Sequence, residues 1–242
     1  MADRKDRMQR QIGGEARIIP GISKVLDWQE IDHVLLDMDG TLLDLRFDTE
    51  LWLEHLPSRY AEARGLPVDE ALQHIRARMD SMSGKLGWYC IHEWSEALSL
   101  DVAGLHRELA DGIGYRETAV AFLEALAASD KRAMVVTNAH PDTVAIKLHR
   151  TGLDHYVDTV VSSHDYGAAK EHDEFWQALR ERYAFDPGRT LFIDDNLSVL
   201  QAARRFGIAH LLAVSHPDSG RGAKDTGEFA AIRWFTEIMP IE

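Results

Sequence analysis

Two aspartates separated by a single residue follow an apolar run near the start of the chain. Asp37 and Asp39 come after Val34, Leu35 and Leu36 and precede Gly40, a residue typical of turns. Two carboxylates this close repel each other unless a cation lies between them, and hard oxygen ligands suit Mg²⁺. The pair alone is also common in ordinary turns, so its meaning depends on the other polar residues of the chain.

Polar residues also follow three later apolar runs. They are Thr137 and Asn138 after the second, Lys170 after the third, and Asp194 and Asp195 after the fourth. The two acids supply further metal ligands, and the hydroxyl, amide and ammonium groups suit a phosphoryl group. The set predicts Mg²⁺-dependent phosphoryl transfer, in which Asp37 attacks phosphorus and Asp39 exchanges protons with the leaving group and with water.

The elements that must position these residues are short apolar strands separated by helix-like stretches. The apolar runs rich in branched residues lie at 34–36, 134–136, 160–161, 191–193 and 211–214. Strands alternating with helices of this length predict an α/β fold, a Rossmann-like doubly wound parallel sheet covered on both faces. Ligands of such sheets bind outside the carboxyl ends of the strands, which is where the polar residues fall.

About a hundred residues separate the first two predicted strands, far more than one crossover needs. The interval contains helical-looking segments at 50–64, 69–82, 92–98 and 105–113. We therefore predict an inserted helical cap at 48–113, in a catalytic core formed by 27–47 and 114–242. Residues 1–26 are polar with scattered glycine and proline, which favours a loose N-terminal arm.

The composition narrows the possible partners. The formal net charge is −13, which argues against binding to nucleic acid or to an anionic membrane. No apolar run approaches the ~20 residues of a membrane helix, and the single cysteine, Cys90, cannot form an internal disulfide. We expect a soluble cytoplasmic protein that acts on a small molecule, and the sequence leaves its oligomeric state open.

The four polar motifs, in this order and on strand ends, resemble those of phosphatases of the haloacid dehalogenase superfamily, over residues 32 to 214. The resemblance implies that Asp37 is the nucleophile and Asp39 the acid–base, and that Thr137 and Lys170 bind phosphate. It also implies Mg²⁺ ligation by the Asp37 side chain, the Asp39 carbonyl and Asp195, with Asp194 acting directly or through water. The predicted insertion matches the position of the superfamily's helical cap.

A narrower resemblance is to bacterial purine nucleotidases of the GMP/IMP 5′-nucleotidase type. The segments that carry it are 27–32, 45–48, 87–90, 93–96, 137–141 and 216–220. It implies a purine nucleoside 5′-monophosphate as substrate, with Trp88, Tyr89 and Arg46 as the residues that would select it. Aromatic residues of a cap more often belong to its hydrophobic core, and charged cap residues are usually solvated. For each of these three residues, a structural role therefore competes with a role in substrate selection.

Other functions fit the same motifs to different degrees. A phosphatase of sugar phosphates or phosphoglycolate stays open, and so does a phosphomutase. A dehalogenase would leave Asp39 and the acidic pair without a role, and a receiver domain carries its acids in another order. A phosphate-binding regulatory protein would not need all four sets of polar residues. His140 and the other histidines are expected at the surface or at helix caps, since Mg²⁺ does not favour imidazole.

Overall fold

Six parallel strands form one sheet in a computed structural model, which describes residues 26–242 of the chain. The strand order is β3-β2-β1-β4-β5-β6, so β1 lies at the centre, where successive connections turn to opposite sides. This arrangement confirms the predicted Rossmann-like doubly wound sheet. The strands are β1 (His33–Leu36), β2 (Arg132–Thr137), β3 (Thr159–Ser162), β4 (Thr190–Asp194), β5 (His210–Val214) and β6 (Ala231–Ile232).

Alternating side chains of the central strands enter two separate hydrophobic clusters. Leu36 and Ile193 belong to one cluster, whereas Leu35 and Phe192 belong to the other. Both clusters are buried because helices cover both faces of the sheet, which explains why the strands are apolar at nearly every position. Helices α6 (Ala119–Ala127) and α7 (Pro141–Thr151) cover the first face, and α8 (Asp173–Arg182) and α9 (Leu197–Phe206) cover the second.

The segment between Arg46 and Gly112 contains helices and turns and no strand. Its α-helices are α1 (Arg46–Glu50), α2 (Leu56–Arg64), α3 (Val68–Met82), α4 (Ile91–Leu98) and α5 (Val102–Glu108), with a π-helical turn at Leu51–His55 and 3-10 turns at Leu86–Tyr89 and Ala110–Gly112. The first hydrophobic cluster continues from the sheet into this segment through Phe47 and Trp94. We refer to residues 46–112 as the helical insertion.

The predicted domain boundaries at 48 and 113 stay a prediction, since one cluster of buried side chains spans both sides of them. The predicted N-terminal arm lies outside the described residues except for its last position. Within residues 26–242, no helix combines the length and the apolar character needed to cross a membrane.

Candidate active site

Asp37 and Asp39 lie in the turn that follows β1, at the carboxyl edge of the sheet. The Asp37 N–H donates to the Ile193 carbonyl at 2.9 Å, so the strand pairing extends to this residue, and its side chain is buried. Gly40 has a φ of +86°, and a Cβ there would lie 2.9 Å from the Asp195 carboxyl carbon. The turn therefore approaches the end of β4 so closely that the position requires glycine.

Lys170 links the ends of three strands. Its Nζ donates to Asp37 Oδ1 at 2.5 Å, to Asp194 Oδ2 at 2.8 Å and to the Val136 carbonyl at 3.0 Å. Burial alone lowers the pKa of a lysine, but the two carboxylates outweigh it and the net pKa of Lys170 is raised. The ammonium is therefore a fixed positive charge against the proposed nucleophile.

Three carboxylates converge beside this ammonium. Asp37, Asp194 and Asp195 each offer an oxygen, and these oxygens lie within 4.8 Å of one another. Burial raises the pKa of Asp194 to about 6, and burial together with the neighbouring carboxylates raises the pKa of Asp37 well above its usual range. A divalent cation would relieve this repulsion, so the oxygen donors fit Mg²⁺. The Asp39 side chain lies outside this group, and ligation by its carbonyl stays a prediction.

Thr137 and Asn138 end β2 and are both buried. The Thr137 hydroxyl oxygen accepts the Ala139 N–H at 3.0 Å, which leaves the hydroxyl hydrogen to donate to an anion. Asn138 Oδ1 accepts the Lys170 N–H at 2.9 Å, and Asn138 Nδ2 donates to Glu171 at 2.9 Å. Both polar atoms of the Asn138 side chain therefore hydrogen-bond to the loop that contains Lys170 and Glu171.

The Asp39 carboxylate is held by Lys147, a residue of α7 that is 1% exposed. Lys147 Nζ donates to Asp39 Oδ1 at 2.6 Å and to the two Asp48 oxygens at 2.8 and 3.0 Å. Burial opposes the charge of Lys147, but the two aspartates raise its pKa overall, while burial raises the pKa of Asp48 to about 6. The candidate acid–base is therefore fixed between the sheet edge and the helical insertion.

These residues line a cavity of about 220 Å³ between the sheet edge and the helical insertion. The insertion contributes Trp52, Trp88 and Tyr89 to its wall. The Tyr89 hydroxyl donates to Glu171 Oε1 at 2.7 Å, and the other Glu171 oxygen accepts from Asn138. Burial and the Glu171 charge raise the pKa of Tyr89, so its hydroxyl stays a neutral donor. Glu171 thereby joins the insertion to the core at the cavity.

Arg46 is the one predicted specificity residue that the structure places outside the cavity wall. Its side chain is exposed and its guanidinium lies against Gly220, where an added Cβ would overlap it. Trp88 and Tyr89 do reach the cavity, with ring centroids 4.8 Å apart in an edge-to-face contact. The aromatic pair therefore lines the cavity and Arg46 does not, while the roles of all three in substrate selection stay predictions.

A family model described as haloacid dehalogenase-like hydrolase matches residues 31–207, which include the ends of β1, β2, β3 and β4. The chain belongs to the haloacid dehalogenase-like hydrolases. Membership confirms the resemblance drawn from the order of the polar motifs. The match covers most of the chain, including β1 to β4, the helical insertion and the predicted site residues from Asp37 to Asp195.

Individual relatives of this hydrolase agree with that assignment. The GMP/IMP nucleotidase YrfG of Escherichia coli is 40% identical over 213 residues, which cover 88% of this chain and 96% of YrfG. This confirms the predicted similarity to the purine nucleotidases. A phosphorylated carbohydrates phosphatase of Thermotoga maritima is 24% identical and covers 84% of this chain. The crystal structure of a phosphatase of the superfamily from Thermococcus onnurineus superposes with a TM-score of 0.73 over 86% of this chain, at 22% identity, and supports the fold.

Sequence reasoning missed four residues of this hydrolase's candidate site, namely Asp48, Lys147, Glu171 and Lys224, the last of which donates to Asp195. Lys147 carried a usable signal, because it follows the buried Thr143 and Val144 at helical spacing and so falls on the apolar face of α7. A lysine on such a face requires a buried anionic partner. Asp48 lies in the single short turn of α1 and Glu171 lies in a loop. Neither segment is long enough or regular enough for a hydrophobic periodicity to indicate where the side chain points.

Proposed function

We propose that this hydrolase cleaves phosphate monoesters through a phosphoaspartyl intermediate on Asp37, with Mg²⁺ as cofactor and purine nucleoside 5′-monophosphates as substrates. The observation that supports the reaction best is the buried Asp37 carboxylate, which lies on the cavity wall beside Lys170 and two further acids. The 40% identity to a GMP/IMP nucleotidase supports the substrate class.

In this proposal Asp37 forms a bond to phosphorus as the bond to the ester oxygen breaks, and Asp39 gives its proton to the leaving alkoxide. Asp39 then takes a proton from water, the water oxygen attacks phosphorus, and phosphate leaves with Asp37 regenerated. Lys170 and the Thr137 hydroxyl would bind phosphate oxygens, and Lys147 would keep Asp39 aimed at the ester oxygen. Mg²⁺, held by Asp37, Asp195 and the Asp39 carbonyl with Asp194 in support, would neutralise charge on the phosphoryl group.

Discrimination among esters would come from the helical insertion, because the sheet edge offers groups that recognise only phosphate and metal. Trp52, Trp88 and Tyr89 line the same cavity as the aspartates. Stacking of a base on an aromatic ring contributes ~1–3 kcal/mol, and a purine has the larger face. A nucleotide substrate also agrees with the cytoplasmic location expected from the sequence.

A phosphate-release assay tests the proposal. GMP, IMP, CMP, UMP, a hexose phosphate and phosphoglycolate would be compared at equal concentration, with and without Mg²⁺. We expect GMP and IMP to have the highest kcat/KM, and activity to disappear in Asp37→Asn, since an amide cannot attack phosphorus. Preference for the hexose phosphate would contradict the nucleotidase assignment, and transfer of the phosphoryl group within a sugar phosphate would indicate a mutase.

A further inference from the structure

A cluster of sulfur and nitrogen donors lies beside the catalytic cavity and has no part in the proposed reaction. Cys90, His140 and His164 each offer one ligand atom, and these atoms lie within 4.8 Å of one another. Cys90 precedes α4 in the helical insertion, His140 precedes α7, and His164 lies in a 3-10 helix after β3. We propose that these three side chains bind a second metal ion, a transition metal whose best candidate is Zn²⁺.

The donor set decides the class of metal. A thiolate with two imidazoles suits Zn²⁺ and related ions, whereas Mg²⁺ requires oxygen. Tetrahedral zinc with bonds of ~2.0–2.3 Å separates its ligand atoms by roughly 3.3–3.8 Å, so the present spacing closes with a side-chain shift of about 1 Å. The oxygen site at Asp37, Asp194 and Asp195 and this site would therefore bind different metals in one molecule.

His164 provides independent support. Its Nε2 is buried, and no hydrogen-bond partner for it exists among residues 26–242. A buried ring nitrogen without a partner costs free energy, which coordination to a metal would remove. Burial and the nearby His140 lower the pKa of His164 to about 4, so the ring is neutral at physiological pH and its lone pair can bind a metal.

Asp142 is placed to orient His140 in such a site. His140 Nδ1 accepts the Asp142 N–H at 3.2 Å and lies 3.8 Å from the Asp142 carboxylate, which also pairs with His92 Nε2 at 2.8 Å. Coordination through His140 Nε2 would move the ring proton to Nδ1, so the bond from the Asp142 N–H would be lost. The Asp142 carboxylate, now 3.8 Å from Nδ1, would have to approach to accept that proton in its place. Carboxylates that receive the second N–H of a metal-binding histidine are a common feature of zinc sites.

The cluster adjoins the cavity, so a metal bound there would link the helical insertion to the core next to the substrate. Tyr89 and Ala139, the neighbours of Cys90 and His140 in the chain, both line the cavity. A metal bound by one residue of the insertion and two of the core would fix the insertion over the sheet edge. Within residues 26–242, His140 caps α7 and its ring packs against those of His92 and His164, while the Cys90 thiol forms no disulfide.

Cobalt binding to the full chain tests the proposal with a readout other than activity. The protein would be stripped with a chelator, supplied with excess Mg²⁺ to occupy the oxygen site, and titrated with Co²⁺. Because Cys90 is the only cysteine, a thiolate-to-cobalt charge-transfer band reports on this residue alone. We expect the band to saturate at one Co²⁺ per chain and to disappear when Zn²⁺ is added.

Single substitutions test whether the proposed ligands, rather than neighbouring residues, bind the metal. Cys90→Ser should remove the band, and His164→Ala should weaken Co²⁺ binding at least ten- to a hundred-fold. His149→Ala is the matched control, since this exposed histidine lies on α7 away from the cluster, and it should leave binding unchanged. Asp37→Asn should also retain the band, because it alters only the oxygen site. Circular dichroism would confirm that each variant is folded.

Three results would overturn the assignment. The first is a titration that produces no charge-transfer band. The second is a band whose cobalt affinity is the same in His164→Ala as in the unmodified protein, because the histidine would then not be a ligand. The third is a stoichiometry of one Co²⁺ per two chains with a doubled mass in sedimentation, which would mean that Cys90 thiolates of two molecules share the ion.

Discussion

Replacing Lys147 by methionine removes the one ammonium that lies between Asp39 and Asp48. Methionine preserves the length and the apolar stem of the side chain, so the change acts mainly on charge. Both aspartates are partly buried, with side chains 20% and 18% exposed, whereas the side chain of Lys147 is almost completely buried. The variant therefore leaves two carboxylates facing each other in a region that water reaches only in part.

The expected cost to stability follows from that burial. Removing one partner of a fully buried ion pair costs about 3–5 kcal/mol, and the remaining exposure of the aspartates reduces this to about 2–3 kcal/mol. For a chain of this size the loss corresponds to a fall in Tm of about 4–12 °C. Asp48→Asn in the same background removes one of the two repelling charges, so it should restore part of the lost stability.

The expected effect on activity depends on the leaving group. If Lys147 positions Asp39 as the general acid, its loss should lower kcat/KM for GMP about 100-fold, because GMP releases an alkoxide that needs a proton. p-Nitrophenyl phosphate releases a stabilised phenolate that leaves without one. Its kcat/KM should fall less than about three-fold, since the contribution of the general acid is absent there.

The assay compares the two substrates in the unmodified enzyme, in Lys147→Met and in Lys85→Met. Lys85 is an exposed lysine of the insertion whose ammonium donates to the Ser81 carbonyl and forms no ion pair among residues 26–242, so its replacement controls for loss of a positive charge. Measurements at a temperature well below the lowered Tm separate activity from unfolding. An equal loss on both substrates would refute the positioning role and indicate that Lys147 only stabilises the fold.

Three further results are expected. Chelation should abolish phosphate release and Mg²⁺ should restore it, whereas Ca²⁺ should support little turnover because its coordination is less strict; full activity in excess chelator would contradict a metal-dependent reaction. Gly40→Ala should cost about 1–3 kcal/mol in thermal unfolding and weaken Mg²⁺ binding in a titration, because φ is +86° and the new Cβ would press on Asp195. Trp88→Ala and Tyr89→Ala should each lower kcat/KM for GMP about ten- to a hundred-fold with little change for a sugar phosphate, and equal losses would mean that the rings only hold the insertion together.

The edge of the sheet that carries the candidate site could be predicted because the polar residues of the site follow strand ends. Asp37, Thr137 and Asp194 each stand at or next to the last residue of a strand, and parallel strands bring those ends to one edge. This inference needs only the local sequence of each strand and the rule that parallel strands end at the same edge. The same logic fails for β6, because a two-residue strand is too short to form a pattern and exists only through its pairing with β5.

The helical insertion was harder to interpret for a physical reason. Its helices pack on one another and on the core, so an aromatic residue at a given helical position can face the cavity, the interior or solvent. Trp94 is fully buried and donates to the Trp88 carbonyl, while Trp88 lines the cavity six residues earlier. Arg46 lies near the site in sequence, yet its side chain extends along the surface to Gly220. Only the tertiary contacts distinguish these outcomes.

The lysines explain how an acidic chain can gather so many carboxylates at one edge. Five aspartates and three lysines lie at this edge in three hydrogen-bonded groups: Asp39 and Asp48 with Lys147, Asp37 and Asp194 with Lys170, and Asp195 with Lys224. With all eight groups ionised, the set has two more negative charges than positive ones, which one divalent cation neutralises. Lys147 and Lys170 are each buried between two carboxylates, so they separate the pair that contains Asp39, the proposed acid–base, from the pair that contains Asp37, the proposed nucleophile. The net negative charge that a metal ion would meet at this edge therefore depends on the number of lysines there as much as on the number of aspartates.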